Sequence, residues 1–366
     1  MSHATRHKTT ANRPPRPRGD VGAHRSQRSE EDVRVGPLRP TAGVLRELGH
    51  DPAAVFGAVG LEATAFDDTE RRLPFRVIAD LVSHAAAASG REDFGLLVGE
   101  RFAFDDLGLL GQLMWRARSV GGALHDLNRF IHVQDRGSVT YLRPAQEGVV
   151  SLGYSILDPD TPGAALIYDL VLAIGMRAMR ALAGPRFRAT GVWLAHGRPR
   201  QLAPYRRVFG APLQFNAPRS ELHFDADWLH APLAGADEVR HAFVQRAVRL
   251  AEVALASGLE DRVRAAVRAL LMTGDASAAR VAAALGLHER TLRRRLAGEG
   301  LGLQQIVAHE RYEVARQLLA DTRLGLSDIA NALGFAEAAV FVRAFRRWAG
   351  CTPGQWRARN AARRRG

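Results

Sequence analysis

The sequence has almost no cysteine: Cys351 is the only one in 366 residues. A single thiol excludes an internal disulfide framework and any structural metal site that needs several thiolates. Long hydrophobic runs are also missing, because no stretch of about 18 apolar residues occurs, and this excludes a transmembrane helix. The first forty residues lack the apolar segment that a signal peptide needs. These absences favour a cytoplasmic protein that does not have a membrane as a partner.

Basic residues outnumber acidic ones, and the excess is unevenly distributed. The chain has 51 Lys and Arg residues against 38 Asp and Glu residues, a net charge of +13. Residues 1–40 carry 9 basic and 4 acidic groups (+5), residues 41–258 carry 23 and 24 (−1), and residues 259–366 carry 19 and 10 (+9). We therefore expect a polyanion-binding module at the C-terminal end, attached to a domain with another role. Residues 1–40, rich in Arg, Pro and Ser, predict a disordered basic tail.

Residues 41–235 predict an α+β domain, with helices plus a mostly antiparallel sheet. Helical patterns come first, as in Pro74–Ala88 and Phe94–Glu100. Ser138–Arg143 and Val149–Ile156 then predict a β-hairpin, because β-branched and aromatic residues lie on either side of a turn-forming break. The remaining elements of this part are a long helix and three strands, predicted at Ala164–Leu182, Thr190–His196, Leu213–Asn216 and Glu221–Phe224.

The rest of the chain predicts helices only. Residues 236–258 form a linker whose amphipathic segment Ala236–Ala256 is a candidate for dimerisation or for transmitting a signal. Residues 259–357 predict an all-α domain, and residues 358–366 a short basic tail.

The all-α domain contains an internal repeat. Val281–Leu287 matches Ile329–Phe335 at an offset of 48 residues, and the match resumes at an offset of 49 for Leu292, Arg294 and Leu296. Each copy has a short helix with a small residue inside it, then a glycine suited to a left-handed turn, then a second helix. This arrangement predicts two helix-turn-helix units.

The second helix of each unit exposes residues that suit duplex DNA. An arginine guanidinium donates two hydrogen bonds to guanine O6 and N7, and small apolar side chains lie against a thymine methyl. The connecting segment, about 16 residues and so about 24 Å long, suits two helices that enter successive major grooves. The predicted DNA-binding residues are Arg290, Thr291, Arg293 and Arg294 in the first unit and Ala338, Ala339, Val342, Arg343 and Arg346 in the second.

Residues 259–357 resemble the C-terminal domain of the AraC family of bacterial transcription regulators. The resemblance rests on Ala330–Phe335 followed by Phe341–Pro353, and in the first unit on Arg290–Leu296. It implies that the residues facing bases are Arg290, Arg293 and Arg294, and Ala338, Ala339, Val342 and Arg343. The chain departs from the family pattern at His288, where serine is usual, and at Ala336 and Ala339, where hydroxyls are common.

Residues 45–235 are similar, more loosely, to an arabinose-binding-like N-terminal domain found in part of that family. The similarity rests on Asp93–Leu96, Gly108–Gly111, Val192–His196, Tyr205–Phe215 and Leu229–Leu233. It implies a domain that senses a small-molecule effector or forms a homodimer, without implying that arabinose binds. The sequence does not identify the effector and indicates no cofactor.

Other side chains suggest chemistry, each with a simpler interpretation. His196 and His223 end strand candidates and invite a metal hypothesis, but polar strand-end residues are the simpler interpretation. His309 lacks the second histidine of a zinc-binding helix. Cys351 suits packing better than catalysis. Trp115, Tyr168 and Trp193 are candidates for lining an effector pocket, and core packing is the alternative.

We therefore expect a sequence-specific transcription regulator that responds to an effector and is not an enzyme. If it activates transcription, RNA polymerase is a further partner. One alternative is an effector-independent regulator whose N-terminal domain only oligomerises. The other is an enzyme fused to a DNA-binding tail, although the sequence contains no paired acid/base or nucleophile constellation that supports catalysis.

Overall fold

A computed structural model describes residues 31–255, 258–273 and 276–363. It has a mixed α/β N-terminal region, followed by a helical region that begins near residue 238. This order agrees with the predicted fold class. None of the helices in the described residues is both long and apolar enough to cross a membrane.

The N-terminal region begins earlier than predicted. Residues 31–40 were expected to belong to a disordered tail, but β1 (Asp32–Arg34) pairs with β2 (Arg72–Pro74) in an antiparallel ribbon. Val35 and Leu38 are buried in the core that follows, so apolar burial outweighs the tail-like composition here. Residues 1–30 lie outside the described residues.

Six helices form the first half of this region. The hydrophobic periodicity predicted most of their positions, because each helix buries an apolar face in one of two core clusters: α1 to α3 in one, α5 and α6 in the other, and α4 in both. They are α1 (Thr41–Glu47), α2 (Pro52–Gly57), α3 (Phe75–Ser89), α4 (Phe94–Glu100), α5 (Gly108–Arg116) and α6 (Val120–Gln134).

A five-stranded sheet follows. The hairpin is present, and its first strand continues past the prediction to Gln146 through a bulge between Pro144 and Gln146. The strand order is β3-β4-β7-β5-β6, and all pairs are antiparallel except β5 with β6. The strands are β3 (Ser138–Gln146), β4 (Val149–Ile156), β5 (Gly191–Leu194), β6 (Leu213–Phe215) and β7 (Ser220–Asp225).

The two faces of the sheet contact different parts of the molecule. Side chains alternate along a strand, so the cross-strand pair Leu142 and Leu152 shares one face with Leu222. That face packs in a core with α6 and the 20-residue helix α7 (Ala164–Ala183). Tyr141, on the other face, is buried in the core of the helical region. The sheet therefore packs on helices of the N-terminal region with one face and on the helical region with the other.

The remaining helices are α8 (Ala203–Phe209), which the sequence analysis missed, α9 (Glu238–Ala254), α10 (Leu259–Thr273), α11 (Ala278–Ala284), α12 (Glu289–Gly298), α13 (Leu303–Asp321), α14 (Leu326–Ala332), α15 (Ala338–Ala349) and α16 (Pro353–Arg363). The last of these extends into residues 358–363, which were predicted as part of a basic tail.

The helical region docks on the N-terminal region through buried polar contacts. Arg268 of α10 is fully buried and donates hydrogen bonds of 2.7 Å to the carbonyl oxygens of Ile156 and Leu157. The amide of Gln317 on α13 donates to the hydroxyl of Tyr168 on α7. Buried hydrogen bonds of this kind fix one relative arrangement, because breaking them leaves polar groups unsatisfied.

Candidate nucleic-acid interface

The first repeat forms a helix-turn-helix unit from α11 and α12. Gly286 adopts the left-handed conformation with φ of +66° between the two helices. Ala282 is 1% exposed, so a larger side chain would separate the crossing helices. Leu292 and Leu296 of α12 are buried against this crossing. The opposite side of α12 is therefore left for solvent or a partner.

The second repeat builds the same unit from α14 and α15. Gly334 turns the chain with φ of +74°, and Ala330 is fully buried inside the first helix. Phe341 and Phe345 occupy the core positions of α15, where their rings contact each other with centroids 5.8 Å apart. The aromatic pair fills the space that leucines fill in the first unit.

Six of the nine predicted DNA-binding residues are exposed on α12 and α15. Exposed positions alternate with buried core positions at helical spacing on both helices, as expected for recognition helices. The exposed residues are Arg290, Arg293 and Arg294 on α12 and Ala339, Arg343 and Arg346 on α15, whereas Thr291, Ala338 and Val342 are half-buried.

The charges on α12 differ in their contacts. Arg293 forms an ion pair with Glu289 one turn earlier, at 2.6 Å. Among the described residues, no acidic side chain is paired with Arg290, Arg294, Arg343 or Arg346. An exposed pair of this kind contributes about 0.3–0.5 kcal/mol, so releasing Arg293 to contact a base costs little.

Both recognition helices begin without a side-chain cap. His288 and Glu337 hold the N-cap positions of α12 and α15 with extended backbone, and neither side chain accepts a hydrogen bond from the first turn. The free N–H groups at a helix N-terminus carry partial positive charge and suit a phosphate oxygen. The departure at His288 therefore leaves these donors available.

Helix α13 connects the two units. Its 19 residues make it about 28 Å long, slightly longer than predicted from the sequence. Tyr312 of α13 contacts the rings of Phe345 and Trp348 at 5.5 and 6.0 Å, and Arg311 lies over Phe335 at 5.3 Å. The second unit is thus fastened to the connecting helix by aromatic packing.

The histidines suggested as metal ligands bind separate carboxylates. His196 lies 3.0 Å from Asp169, and His223 lies 3.1 Å from Glu221. No group of three or more His, Cys, Asp or Glu side chains in the described part of the chain is arranged to hold a metal ion. Cys351 is a half-buried free thiol.

The three aromatic residues suggested for an effector pocket have different surroundings. Tyr168 is buried in the core and bonded to Gln317, Trp193 stacks on His223 at 4.3 Å, and Trp115 is 36% exposed beside Phe104. The sequence analysis also missed the contacts between the regions. The hydrophobic pattern of the sequence does not distinguish a fully buried arginine such as Arg268 from a solvent-exposed one.

Two helix-turn-helix units in tandem, each with an exposed arginine-bearing second helix, define the class of DNA-binding transcription regulators. Family models agree: the model described as the arabinose-binding domain of AraC transcription regulators, N-terminal, matches residues 49–233, and a helix-turn-helix domain model matches residues 281–359. The chain belongs to the AraC family of transcription regulators.

Individual relatives are regulators as well. The chain is 30% identical over 330 residues to the HTH-type transcriptional regulator VirS of Mycobacterium tuberculosis, covering 89% of this chain and 96% of VirS. It is 28% identical over 320 residues to the ornithine utilization regulator of Pseudomonas aeruginosa, covering 86% and 93%. The crystal structure of the transcriptional regulator CdpR from Pseudomonas aeruginosa matches with a TM-score of 0.46 and 24% identity, covering 88% of this chain and 98% of that one.

Proposed function

We propose that the protein is a cytoplasmic, sequence-specific regulator that responds to a small-molecule effector and reads two successive major-groove segments of duplex DNA. In this proposal, residues 41–235, together with the folded residues 31–40, form the sensing and dimerisation domain. Residues 236–258 are the linker and residues 259–357 are the DNA-binding domain. It is not an enzyme, and RNA polymerase is a partner if it activates transcription.

The observation that carries the proposal is the repeated placement of exposed arginines on α12 and α15. The exposed face of α12 has Arg290, Arg293 and Arg294, and the exposed face of α15 has Arg343 and Arg346. Each helix follows a glycine with a left-handed backbone conformation. Two matching surfaces joined by a rigid helix suit DNA, whose major groove admits an α-helix. The major groove of duplex RNA is too narrow for one.

Substitution of the arginines tests base reading. A cognate duplex is first selected from a random pool, and affinities are then measured by fluorescence anisotropy at fixed salt. Arg293→Ala or Arg343→Ala should weaken cognate binding by about 1–3 kcal/mol and relax specificity at one position. An arginine that contacts only phosphate would instead weaken all sequences alike and lower the salt slope by about one.

The control is Arg46→Ala, which removes an exposed arginine from α1, outside the helix-turn-helix units. It should leave both affinity and specificity unchanged. Base reading by an arginine is contradicted if its alanine variant keeps wild-type affinity and specificity.

Dimerisation is a separate part of the proposal. Helix α9 exposes Val239, Phe243 and Leu250 at 82%, 75% and 72%. Phe243 and Leu250 are seven residues apart, so they lie on the same face of the helix two turns apart. An exposed apolar face of this kind is typical of an interaction surface, and a second copy of the same helix is its simplest partner.

A further inference from the structure

The N-terminal region contains an apolar cavity of about 130 Å³. Helices α6 and α7 form its walls, and the inner face of the sheet forms its floor through Leu152 and Leu222. This position, between two helices and a sheet, is a common one for small-molecule sites.

The facing surfaces of the two helices do not close on each other. Two residues of each helix, one turn apart, line the cavity and are only half-buried although they pack against the core. They are Leu127 and Ile131 of α6 and Ile174 and Ala178 of α7. Gly175, also on α7, lies close to Leu222, and a Cβ there would be 3.1 Å from the Leu222 side chain, so even a methyl group would push Leu222 aside. Protein interiors are normally packed without voids of this size, so the space requires an explanation.

One end of the cavity is polar. Thr140 and Arg34 are among its lining residues, and within the described part of the chain the buried Thr140 hydroxyl and Arg34 Nε–H have no hydrogen-bond partner. Nearby polar atoms are already satisfied: the Tyr154 hydroxyl donates to Asp135 at 2.8 Å, and Arg34 Nη1 donates to Gln134 at 3.0 Å. Buried polar groups are rarely left unpaired, so two free donors at this end suggest an acceptor supplied by a ligand.

We propose that this cavity is the effector site and that it takes a compact, uncharged apolar molecule with one acceptor oxygen. A cavity of about 150 Å³ holds benzene, so a cavity of about 130 Å³ suits a ligand close to benzene in size. A sugar does not suit the site, because most of its hydroxyls would be buried without partners. A charged amino acid does not suit the site either, because its ionised groups would be buried in a mostly apolar lining. This inference rests on the proposed function, since it names the effector's chemistry.

The walls of the cavity also contact the DNA-binding region. Tyr154 lines the cavity, and its ring lies 6.1 Å from that of Tyr168, whose hydroxyl accepts the hydrogen bond from Gln317 on α13. Helix α13 connects the two helix-turn-helix units and packs on α15 through Tyr312. A ligand that shifts α7 or β4 therefore changes the contact that positions α13, which gives it different affinities for two arrangements of the protein.

The test uses the full chain, with cyclohexanone and benzyl alcohol as probes and arabinose and ornithine as polar controls. Binding is measured by calorimetry and by the shift of the melting temperature. We expect saturable binding of both probes and none of the polar compounds. Failure of both probes to bind, or equal binding of arabinose, overturns the proposal.

A matched pair of variants locates the site. Ala178→Leu fills the cavity, whereas Ala181→Leu makes the same change at an exposed position three residues later on α7. We expect Ala178→Leu to weaken probe binding at least tenfold and Ala181→Leu to leave it within twofold. If Ala178→Leu does not fold, Gly175→Ala replaces it, with an expected loss of at least threefold. Equal probe affinities for the cavity-filling variant and Ala181→Leu overturn the assignment.

The polar end is tested with Thr140→Val, which keeps the shape and removes the hydroxyl. Benzyl alcohol should bind at least fivefold more weakly, and toluene, which has no oxygen, should bind within twofold of wild type. An equal effect on the two probes overturns the role of Thr140 as a donor.

DNA binding is measured by anisotropy in the same samples, so the two proposals fail separately. If the chain binds its selected duplex but none of the probes, the DNA-binding proposal stands and the effector-site proposal fails. If the chain binds the probes but no duplex, the effector-site proposal stands and the DNA-binding proposal fails.

Discussion

Arg268 shows how one side chain joins the two regions. Its guanidinium is fully buried, bonds to the carbonyl oxygens of Ile156 and Leu157, and lies 3.6 Å from Glu310. A buried cation needs such partners, because desolvation would otherwise be too costly. The residue therefore holds α10 against the end of the sheet.

Arg268→Ala should destabilise the protein by about 3 kcal/mol, because the carbonyl oxygens of Ile156 and Leu157 lose this donor and Glu310 loses the cation 3.6 Å away. Urea unfolding of the full chain, followed by circular dichroism, measures the loss. Arg262→Ala, an exposed position on the same helix, should change the stability by less than about 0.5 kcal/mol. Similar losses for the two variants would contradict the role of Arg268.

Glu221 gives the sheet a pH-dependent contribution to stability. Burial opposes its ionisation, but hydrogen bonds from His223 and Arg143 outweigh burial and lower the pKa of Glu221 from 4.5 to about 2. A lowered pKa means that the folded state favours the ionised form. The contribution is therefore complete above pH 4.5 and is lost as the pH falls from there through about 2.

The free energy of unfolding should accordingly fall by up to about 3 kcal/mol from this group as the solution is acidified across that range. Glu221→Gln should remove this part of the pH dependence, while Glu62→Gln, at an exposed position, should keep it. Urea unfolding at a series of pH values measures both. An unchanged acid slope in Glu221→Gln would contradict the assignment.

At the scale of single elements, the helix-turn-helix units were fully predictable and the N-terminal ribbon was not. The repeat placed Gly286 and Gly334 at the turns, where both adopt positive φ. Strand β1 has only three residues and follows an Arg- and Pro-rich segment, so its local sequence gives no strand pattern. Helix α8 was missed because it is seven residues long and contains Pro204.

The candidate cavity was unpredictable for a different reason. Its lining comes from α6, α7 and the sheet, which are distant in the sequence, and each residue alone looks like ordinary core. Trp115, Tyr168 and Trp193, the aromatic residues suggested for an effector pocket, are not among its lining residues. A cavity depends on how faces meet, which hydrophobic periodicity does not encode.

The uncapped start of α12 gives a prediction for one element. His288→Ser should stabilise the protein by about 0.5–1 kcal/mol, because a serine hydroxyl accepts a hydrogen bond from the first helical turn. Thermal unfolding measures the gain. His84→Ser, at an exposed position inside α3, should give no gain. Equal effects of the two substitutions would rule out capping as the cause.

At the scale of the whole molecule, the sheet lies between the proposed effector site and the DNA-binding region. Its inner face borders the apolar cavity, and its outer face packs on the DNA-binding region through Tyr141 and the adjacent buried contacts. The proposed effector site and the DNA-binding region thus lie against opposite faces of the same sheet. An effector could alter DNA binding by favouring one packing of the sheet against the DNA-binding region. It would need to bind the two packing arrangements with different affinities.

The exposed face of α9 predicts the oligomeric state. The wild-type chain should sediment as a dimer, and Phe243→Ser combined with Leu250→Ser should sediment as a monomer, because the apolar contact is lost. Arg249→Ser, an exposed polar position on the same helix, should remain dimeric. A monomeric wild type in analytical ultracentrifugation, or a dimeric double variant, would contradict this interface.

The most direct test of the central claim is dimethyl sulfate footprinting of the selected duplex, because the reagent attacks guanine N7 in the major groove. The account predicts two protected segments on one face of the duplex, centred about 10 base pairs apart. Arg293→Ala should remove protection from one segment only, and Arg343→Ala from the other only. A single protected segment, or loss of both segments in either variant, would contradict the reading of successive grooves by α12 and α15.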